Sequence, residues 1–436
     1  MNTPIYDFAK AYAEGNSLRL HMPGHKGKSF LGCESLDITE IDGADSLYHS
    51  DGIILASENN ASSLFGSAHT FYSAEGSSLC IRAMLYLIKS LSKNPRILAG
   101  RNAHRTFISA AAILGIDVDW IWGDSYLSCS ICPSELDEIL SKETPTAVYL
   151  TSPDYLGNIA DIEEISRVCR RHGVILAVDN AHGAYLKFLS PSMHPIDLGA
   201  DICCDSAHKT LPVLTGGAYL HISKNAPVSF AREARNALSL FGSTSPSYLI
   251  LESLDLANKY ISGGYVERLN AFCDKVESLK AELTDFGYTL IGNEKLKITM
   301  SAKSYGYLGN ALAEEIWTRG ATVEFYDPDF VVLMLTPELD LIGKIKDILF
   351  SIERKESISS SAPSLPRPIR AISPSNAIFS DAEELLTDEC LGRVLSSVSV
   401  SCPPAVPLVV CGEIIDKNTI EAFKYYGIKK CRVVKK

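Results

Sequence analysis

Short, continuous apolar runs separated by amphipathic stretches constrain this chain more than any other feature of its sequence. The runs at residues 96–99, 118–122, 147–151, 174–179, 201–205 and 217–222 are each of strand length, and residues 161–171 between two of them have helical periodicity. Strands that are apolar at nearly every position are buried on both faces, so the alternation predicts an α/β domain built on a mostly parallel sheet. A helix is predicted over residues 77–91, where Cys80, Met84, Leu87, Ile88 and Leu91 recur at helical spacing after the loop Ala74-Glu75-Gly76. Further on, residues 263–286 read as a long helix leading into a smaller α/β domain that ends near residue 356. Residues 357–374, with four Ser in five positions and Pro363, Pro366 and Pro368, read as a linker. The last unit, 375–436, contains a stretch at 381–394 that reads as helical.

Bulk properties exclude several classes of function. The longest apolar runs fall well short of the roughly 18 to 20 residues that span a bilayer, and the first ten residues lack the basic start and apolar stretch of a signal peptide. No membrane association is expected. A net charge of −11 argues against a nucleic-acid surface, which needs clustered Lys and Arg. Twelve cysteines without a regular framework, including the adjacent Cys203 and Cys204, suit a reducing compartment, so the protein is expected to be cytoplasmic. Cys129 and Cys132 form a C-x-x-C, but no second pair at ligand spacing accompanies them, and no metal is expected.

Two predicted strand ends carry the chemistry. The run 174–178 ends in Asp179-Asn180-Ala181-His182-Gly183, and the run 201–204 leads into Asp205-Ser206-Ala207-His208-Lys209-Thr210. Ligands of open α/β sheets bind at the carboxyl ends of strands, so an amine and a carboxylate are expected to face one pocket. That pair suits pyridoxal 5′-phosphate (PLP): Lys209 forms the Schiff base, and Asp179 keeps the pyridine nitrogen protonated so that the ring withdraws electrons. Gly76-Ser77-Ser78 at a helix start offers N–H groups, hydroxyls and the positive end of the helix dipole to the phosphate, with Ser206 as a further hydroxyl. His104, after the strand at 96–99, is positioned to stack on the ring.

Together these residues resemble the Orn/Lys/Arg decarboxylase family of fold-type I PLP enzymes, in a short form without an N-terminal wing domain. The resemblance runs through Leu20-His21-Met22-Pro23-Gly24-His25-Lys26-Gly27, residues 37–45, Leu64-Phe65-Gly66-Ser67-Ala68, Arg101-Asn102-Ala103-His104 and Thr151-Ser152-Pro153-Asp154-Tyr155-Leu156-Gly157. It continues with both strand-end motifs, Thr244-Ser245-Pro246-Ser247-Tyr248, Pro403-Pro404-Ala405-Val406-Pro407 and Gly412-Glu413, and is weakest over roughly residues 275–371. It implies an aspartate aminotransferase-like large domain (31–262) after an N-terminal arm (1–30), then a small α/β domain (263–356), the linker and a C-terminal family domain. The implied reaction is loss of the α-carboxylate of a basic amino acid (arginine, lysine or ornithine) as carbon dioxide, with His208 or Lys209 returning a proton to the α-carbon. His182 and His208 are then expected to line the pocket. Ser245 or Ser247 would reach the phosphate of a neighbouring subunit in a homodimer or larger assembly. Glu413, Asp42 and Asp45 are candidates for holding the cationic side chain.

Three positions depart from the pattern. Asn180 stands where the family usually has an acid, Ala405 where it has Gly, and Cys411 where Pro is common; none removes a group needed to attach the cofactor, but substrate preference depends on such loops. Two other classes fit the same residues. An aminotransferase or other lyase of this fold would clamp the substrate carboxylate with an arginine such as Arg354, Arg367, Arg370 or Arg393, and a non-catalytic member would bind PLP without turnover.

Overall fold

The computed structural model describes residues 1–15, 17–123, 131–364, 366–401 and 406–436. Cys129 of the C-x-x-C and the loop Cys402-Pro403-Pro404-Ala405 lie outside the described residues. Two compact units interleave along the chain: the first comprises residues 1–95, 137–149 and 162–268, the second residues 96–136, 150–161 and 269–436.

Seven strands are β1 (His69–Ser73), β2 (Arg96–Gly100), β3 (Asp117–Ile121), β4 (Ala147–Thr151), β5 (Ile175–Asp179), β6 (Ile202–Asp205) and β7 (Ala218–Ile222). The apolar runs anticipate six of them. They miss β1, whose His69, Thr70 and Ser73 break the apolar pattern. In the first unit the order is β1-β7-β6-β5-β4, with β5 and β6 parallel and β7 antiparallel to both its neighbours. In the second unit β2 and β3 pair in parallel, Arg96 opposite Asp117. The architecture is α/β with a mostly parallel sheet.

Burial explains why these segments settle as they do. Every residue of β6 and β7 is buried, which suits strands covered on both faces. The helix Gly76–Lys89 places eight buried side chains between Leu79 and Ile88 in the core, each aliphatic one contributing roughly 1.5–3 kcal/mol. The helix Ile162–Arg171 buries Ile162, Ile165, Val168 and Cys169 on one face. Glu163 and Glu164 in its first turn and Arg170 and Arg171 in its last complement the helix dipole.

The second unit holds a four-stranded antiparallel sheet of β8 (Leu290–Ile291), β9 (Lys297–Ser301), β10 (Phe325–Tyr326) and β11 (Phe330–Met334), in the order β10-β11-β9-β8. The predicted long helix is Tyr265–Phe286. Towards the C-terminus come β12 (Ala382–Leu386), β13 (Ser399–Ser401), β14 (Pro407–Val410) and β15 (Lys430–Val434), which pair antiparallel as β12 with β15 and β13 with β14. The helix expected over 381–394 is therefore absent: Ala382–Leu386 pairs along its whole length with β15 and is followed by the 3-10 turn Thr387–Glu389. Leu395, Leu408, Ile415, Phe423 and Val433 form the core beneath these strands. Among its described residues the Ser/Pro-rich stretch holds no helix before Pro374, where the helix Pro374–Phe379 begins, and hydrogen bonds from Ile358 N to Lys303 O (3.0 Å) and from Ala371 N to Gly412 O (2.8 Å) tie it down. Among the described residues no helix is long and apolar enough to cross a membrane.

Candidate active site

Because β5 and β6 are parallel, their carboxyl ends share one edge of the sheet, the edge at which such folds bind ligands. β5 ends at Asp179, which is 2 % exposed. Its Oδ1 accepts a hydrogen bond from the N–H of Ala181 (3.2 Å) and faces the thiol of Cys204 (3.7 Å), while Oδ2 accepts from the hydroxyl of Tyr149 (3.3 Å). β6 ends at Asp205 and passes through Ser206 into the short helix Ala207–Thr210. That turn sets the half-buried Lys209 with its Nζ 3.1 Å from Nε2 of His182, three residues beyond Asp179. The amine and the carboxylate thus belong to two adjacent strand ends of one unit.

The neighbouring groups could seat an anion. Gly76 begins its helix at φ +69°, and its N–H donates to Gly216 O (2.6 Å). The hydroxyl of Ser206 donates to that of Ser77, in the first turn of the same helix, at 2.8 Å. This joins the β6 end to a helix N-terminus, where N–H groups and the dipole favour an anion. His208 is oriented by its Nδ1, which donates to Gly217 O (2.9 Å). Burial, helped by the nearby Lys209 charge, pulls its pKa below the ordinary histidine value and keeps the ring neutral.

Beneath the strand ends lies a buried cluster not anticipated from the sequence. Asp205 Oδ2 accepts from Nε2 of His194 (3.0 Å) and of His221 (3.1 Å), and Oδ1 accepts from the amide of Asn180 (2.7 Å). Burial would raise the Asp205 pKa, but the two imidazoles outweigh it and hold the carboxyl far below the usual carboxylate range. The three groups lie close enough together to hold a metal ion. However, the N–H of Ile196 points at Nδ1 of His194 (3.3 Å), which leaves the proton on Nε2, facing Asp205. The cluster is a hydrogen-bonded network around the Asp205 carboxylate. Its one sequence signal was Asp205 itself, a carboxylate closing an apolar run.

A family model described as Orn/Lys/Arg decarboxylase, major domain, matches residues 3–347. The chain belongs to this family. As a family member it is a PLP-dependent amino-acid decarboxylase. The uncharacterized protein YaaO of Bacillus subtilis is 30% identical to it, covering 97% of this chain and 93% of its own length. An arginine decarboxylase of Halalkalibacterium halodurans is 26% identical, covering 96% and 92%. Among solved structures, the lysine decarboxylase LdcF of Francisella novicida superposes with a TM-score of 0.81 at 15% identity, over 99% of this chain and 81% of its own, a likeness of fold.

The remaining candidates of this decarboxylase separate into two groups. His104, in the second unit, caps the helix Arg105–Leu114, its Nδ1 accepting from the N–H of Thr106 (3.2 Å), and its ring is exposed. In the first unit Ser245 is exposed and Ser247 half-buried, before the helix Tyr248–Ile261. The three acids proposed for the cationic side chain fare differently. Asp42 is exposed. Asp45, at φ +72°, accepts from the N–H groups of Ser46, Asp51, Gly52 and Ile54 and so organises the start of the helix Ile53–Phe65. Glu413 is buried, and both its oxygens accept from Arg101 at 2.7 Å. Asp45 and Glu413 therefore hold the fold in this arrangement, because their carboxylates are already fully hydrogen-bonded. In the sequence Arg101 stands out only as part of the motif Arg101-Asn102-Ala103-His104, Cys204 only beside Cys203, and Tyr149 only as one residue of an apolar run.

Proposed function

We propose that the chain decarboxylates a basic amino acid, arginine, lysine or ornithine, giving agmatine, cadaverine or putrescine and carbon dioxide. The observation that carries this reading is the meeting of Lys209, His182 and Asp179 at two parallel strand ends. Full-length similarity to a relative named arginine decarboxylase favours arginine.

The donor set fits PLP: an amine, a buried carboxylate, and a hydroxyl pair at a helix start. In this reading Lys209 carries the cofactor covalently, Asp179 partners the ring nitrogen, and Ser77, Ser78 and Ser206 with Gly76 hold the phosphate. His104 supports the ring face. When bound, PLP supplies an electron-withdrawing ring that accepts the electron pair left as carbon dioxide departs. His182 orients the Lys209 amine through its Nε2, and Lys209 would return the proton to the α-carbon, whereas His208, whose Nδ1 proton is held by Gly217 O, can deliver one only after its Nε2 has taken a proton up. Decarboxylation assays on arginine, lysine and ornithine test the reading, with Lys209→Ala as control. The parent is expected to release amine and carbon dioxide, and the variant to lose activity by at least about a thousandfold, in line with the loss of a covalent catalyst. Release of keto acid in place of amine would sink it.

We also propose that the working unit is a homodimer or a larger homo-oligomer, with Ser245 or Ser247 reaching the neighbouring copy's phosphate. Leu18, Leu20, Phe30 and Leu31, between 72 % and 89 % exposed, are apolar side chains of the N-terminal arm that a second copy would cover. Sedimentation at micromolar concentration is expected to give at least twice the chain mass. A monomer that is fully active overturns the assignment.

A further inference from the structure

Asp179 is held from both neighbouring strands. Tyr149 on β4 aims its hydroxyl at Oδ2, and Cys204, which stands opposite Asp179 in the β5–β6 register, aims its thiol at Oδ1. Both side chains are fully buried. Other ionisable groups close enough to sense Asp179 are Cys203 on β6 and Cys80 on the helix Gly76–Lys89. Burial first, and the Asp179 charge with it, pushes the Tyr149 phenol and the Cys204 thiol far above their ordinary ranges, and burial with the Asp205 charge does the same to the Cys203 and Cys80 thiols. All four remain protonated, so Tyr149 and Cys204 can meet the carboxylate only as donors.

We propose that Tyr149 and Cys204 are positioning residues of the decarboxylation reaction, whose hydroxyl and thiol hold the Asp179 carboxylate as their acceptor and thereby favour a proton's place on the cofactor's ring nitrogen. The inference rests on Asp179 being the partner of that nitrogen. A donor to a carboxylate stabilises its charged form and lowers its affinity for a proton. In a proton shared between carboxylate and ring nitrogen, each such donor therefore favours the nitrogen, and a protonated ring withdraws electrons more strongly. Tyr149 is the stronger donor of the two, since a thiol hydrogen bond is weak.

The test uses the full chain loaded with PLP, and reads the pH midpoint of the bound cofactor's visible absorbance beside kcat and KM. Tyr149→Phe keeps the ring and removes only the hydroxyl. A less positive ring makes the covalent nitrogen at Lys209 more basic, so the midpoint is expected to rise, by roughly half a unit to one unit. kcat is expected to fall about tenfold, the scale of a lost hydrogen bond to a charged group, with KM nearly unchanged. Cys204→Ala is expected to move the midpoint the same way by less, and it stands in if the Tyr149→Phe chain does not fold. An unmoved midpoint in whichever variant folds overturns the proposal. Asp179→Asn separates the two possible failures. If that variant shifts the midpoint while Tyr149→Phe does not, the positioning role alone is wrong; if neither shifts it, the reading of Asp179 falls as well.

Discussion

Glu252, on the helix Tyr248–Ile261, is 3 % exposed, and its Oε1 has no hydrogen-bond partner among the described residues. Burial, with smaller contributions from Asp37 and Asp255, raises its pKa to about 8. In the unfolded chain a glutamate titrates near 4.3, so between about pH 4.3 and 8 the folded state holds a proton that the unfolded state has released. Stability attributable to this group is therefore complete at the acid end of that window and drains away as pH rises through it. Glu252→Gln removes the titration while keeping the shape. Its melting temperature is expected to exceed the parent's by more at pH 8 than at pH 5, the difference being equivalent to roughly 3–4 kcal/mol, and an equal difference at both pH values would refute the buried acid. At this scale the sequence was informative where chemistry coincided with a strand end, as at Asp179 and Lys209. It was silent on which neighbours donate to them. Asn180 shows why: the amide that departs from the family pattern faces Asp205 at 2.7 Å, where an acid would set two carboxylates against each other, and only the register of β5 and β6 brings them together.

The elements most legible in the sequence were those whose burial is complete. β4, β5, β6 and β7 are near-continuous apolar runs because both faces are covered, and the helix Gly76–Lys89 announces itself by its spacing. β12 was misread as helix because its side chains are largely half-buried or exposed and impose no period. Its structure comes from pairing with β15, more than forty residues further on, which no local pattern records. The loop before the Gly76 helix shows a second kind of silent information. Gly216 sits at φ +103°, and a Cβ there would lie 2.9 Å from Ala74 O, so a backbone contact only glycine permits fixes where that helix begins. The Ser77 hydroxyl and its hydrogen bond with Ser206 are positioned by that contact together with Gly76, whose positive φ and N–H bond to Gly216 O start the helix.

Over the whole chain, the feature that sequence reasoning placed least well is the ion pair between Arg101 and Glu413, 312 residues apart. Glu413 has the composition of a substrate-binding acid: carboxylate, family motif, expected burial. What the sequence lacks is the partner, because Arg101 and Glu413 meet only through the fold of the second unit. The guanidinium also lies over Trp120 and Trp122, 4.9 and 4.5 Å from their ring centres, and Glu413 Oε2 further accepts from Val410 N at 2.8 Å. A buried charge left without its counterion costs roughly 3–5 kcal/mol, whereas replacing both partners by apolar residues is often neutral or better. Glu413→Gln is therefore expected to lower the melting temperature by an amount equivalent to that range, with KM for the basic amino acid unchanged in the protein that remains folded. The double variant Arg101→Met with Glu413→Leu is expected to recover much of the loss. A substrate-binding Glu413 predicts the opposite pattern, a melting temperature close to the parent's and a KM raised many-fold, and that outcome would return the residue to the active site.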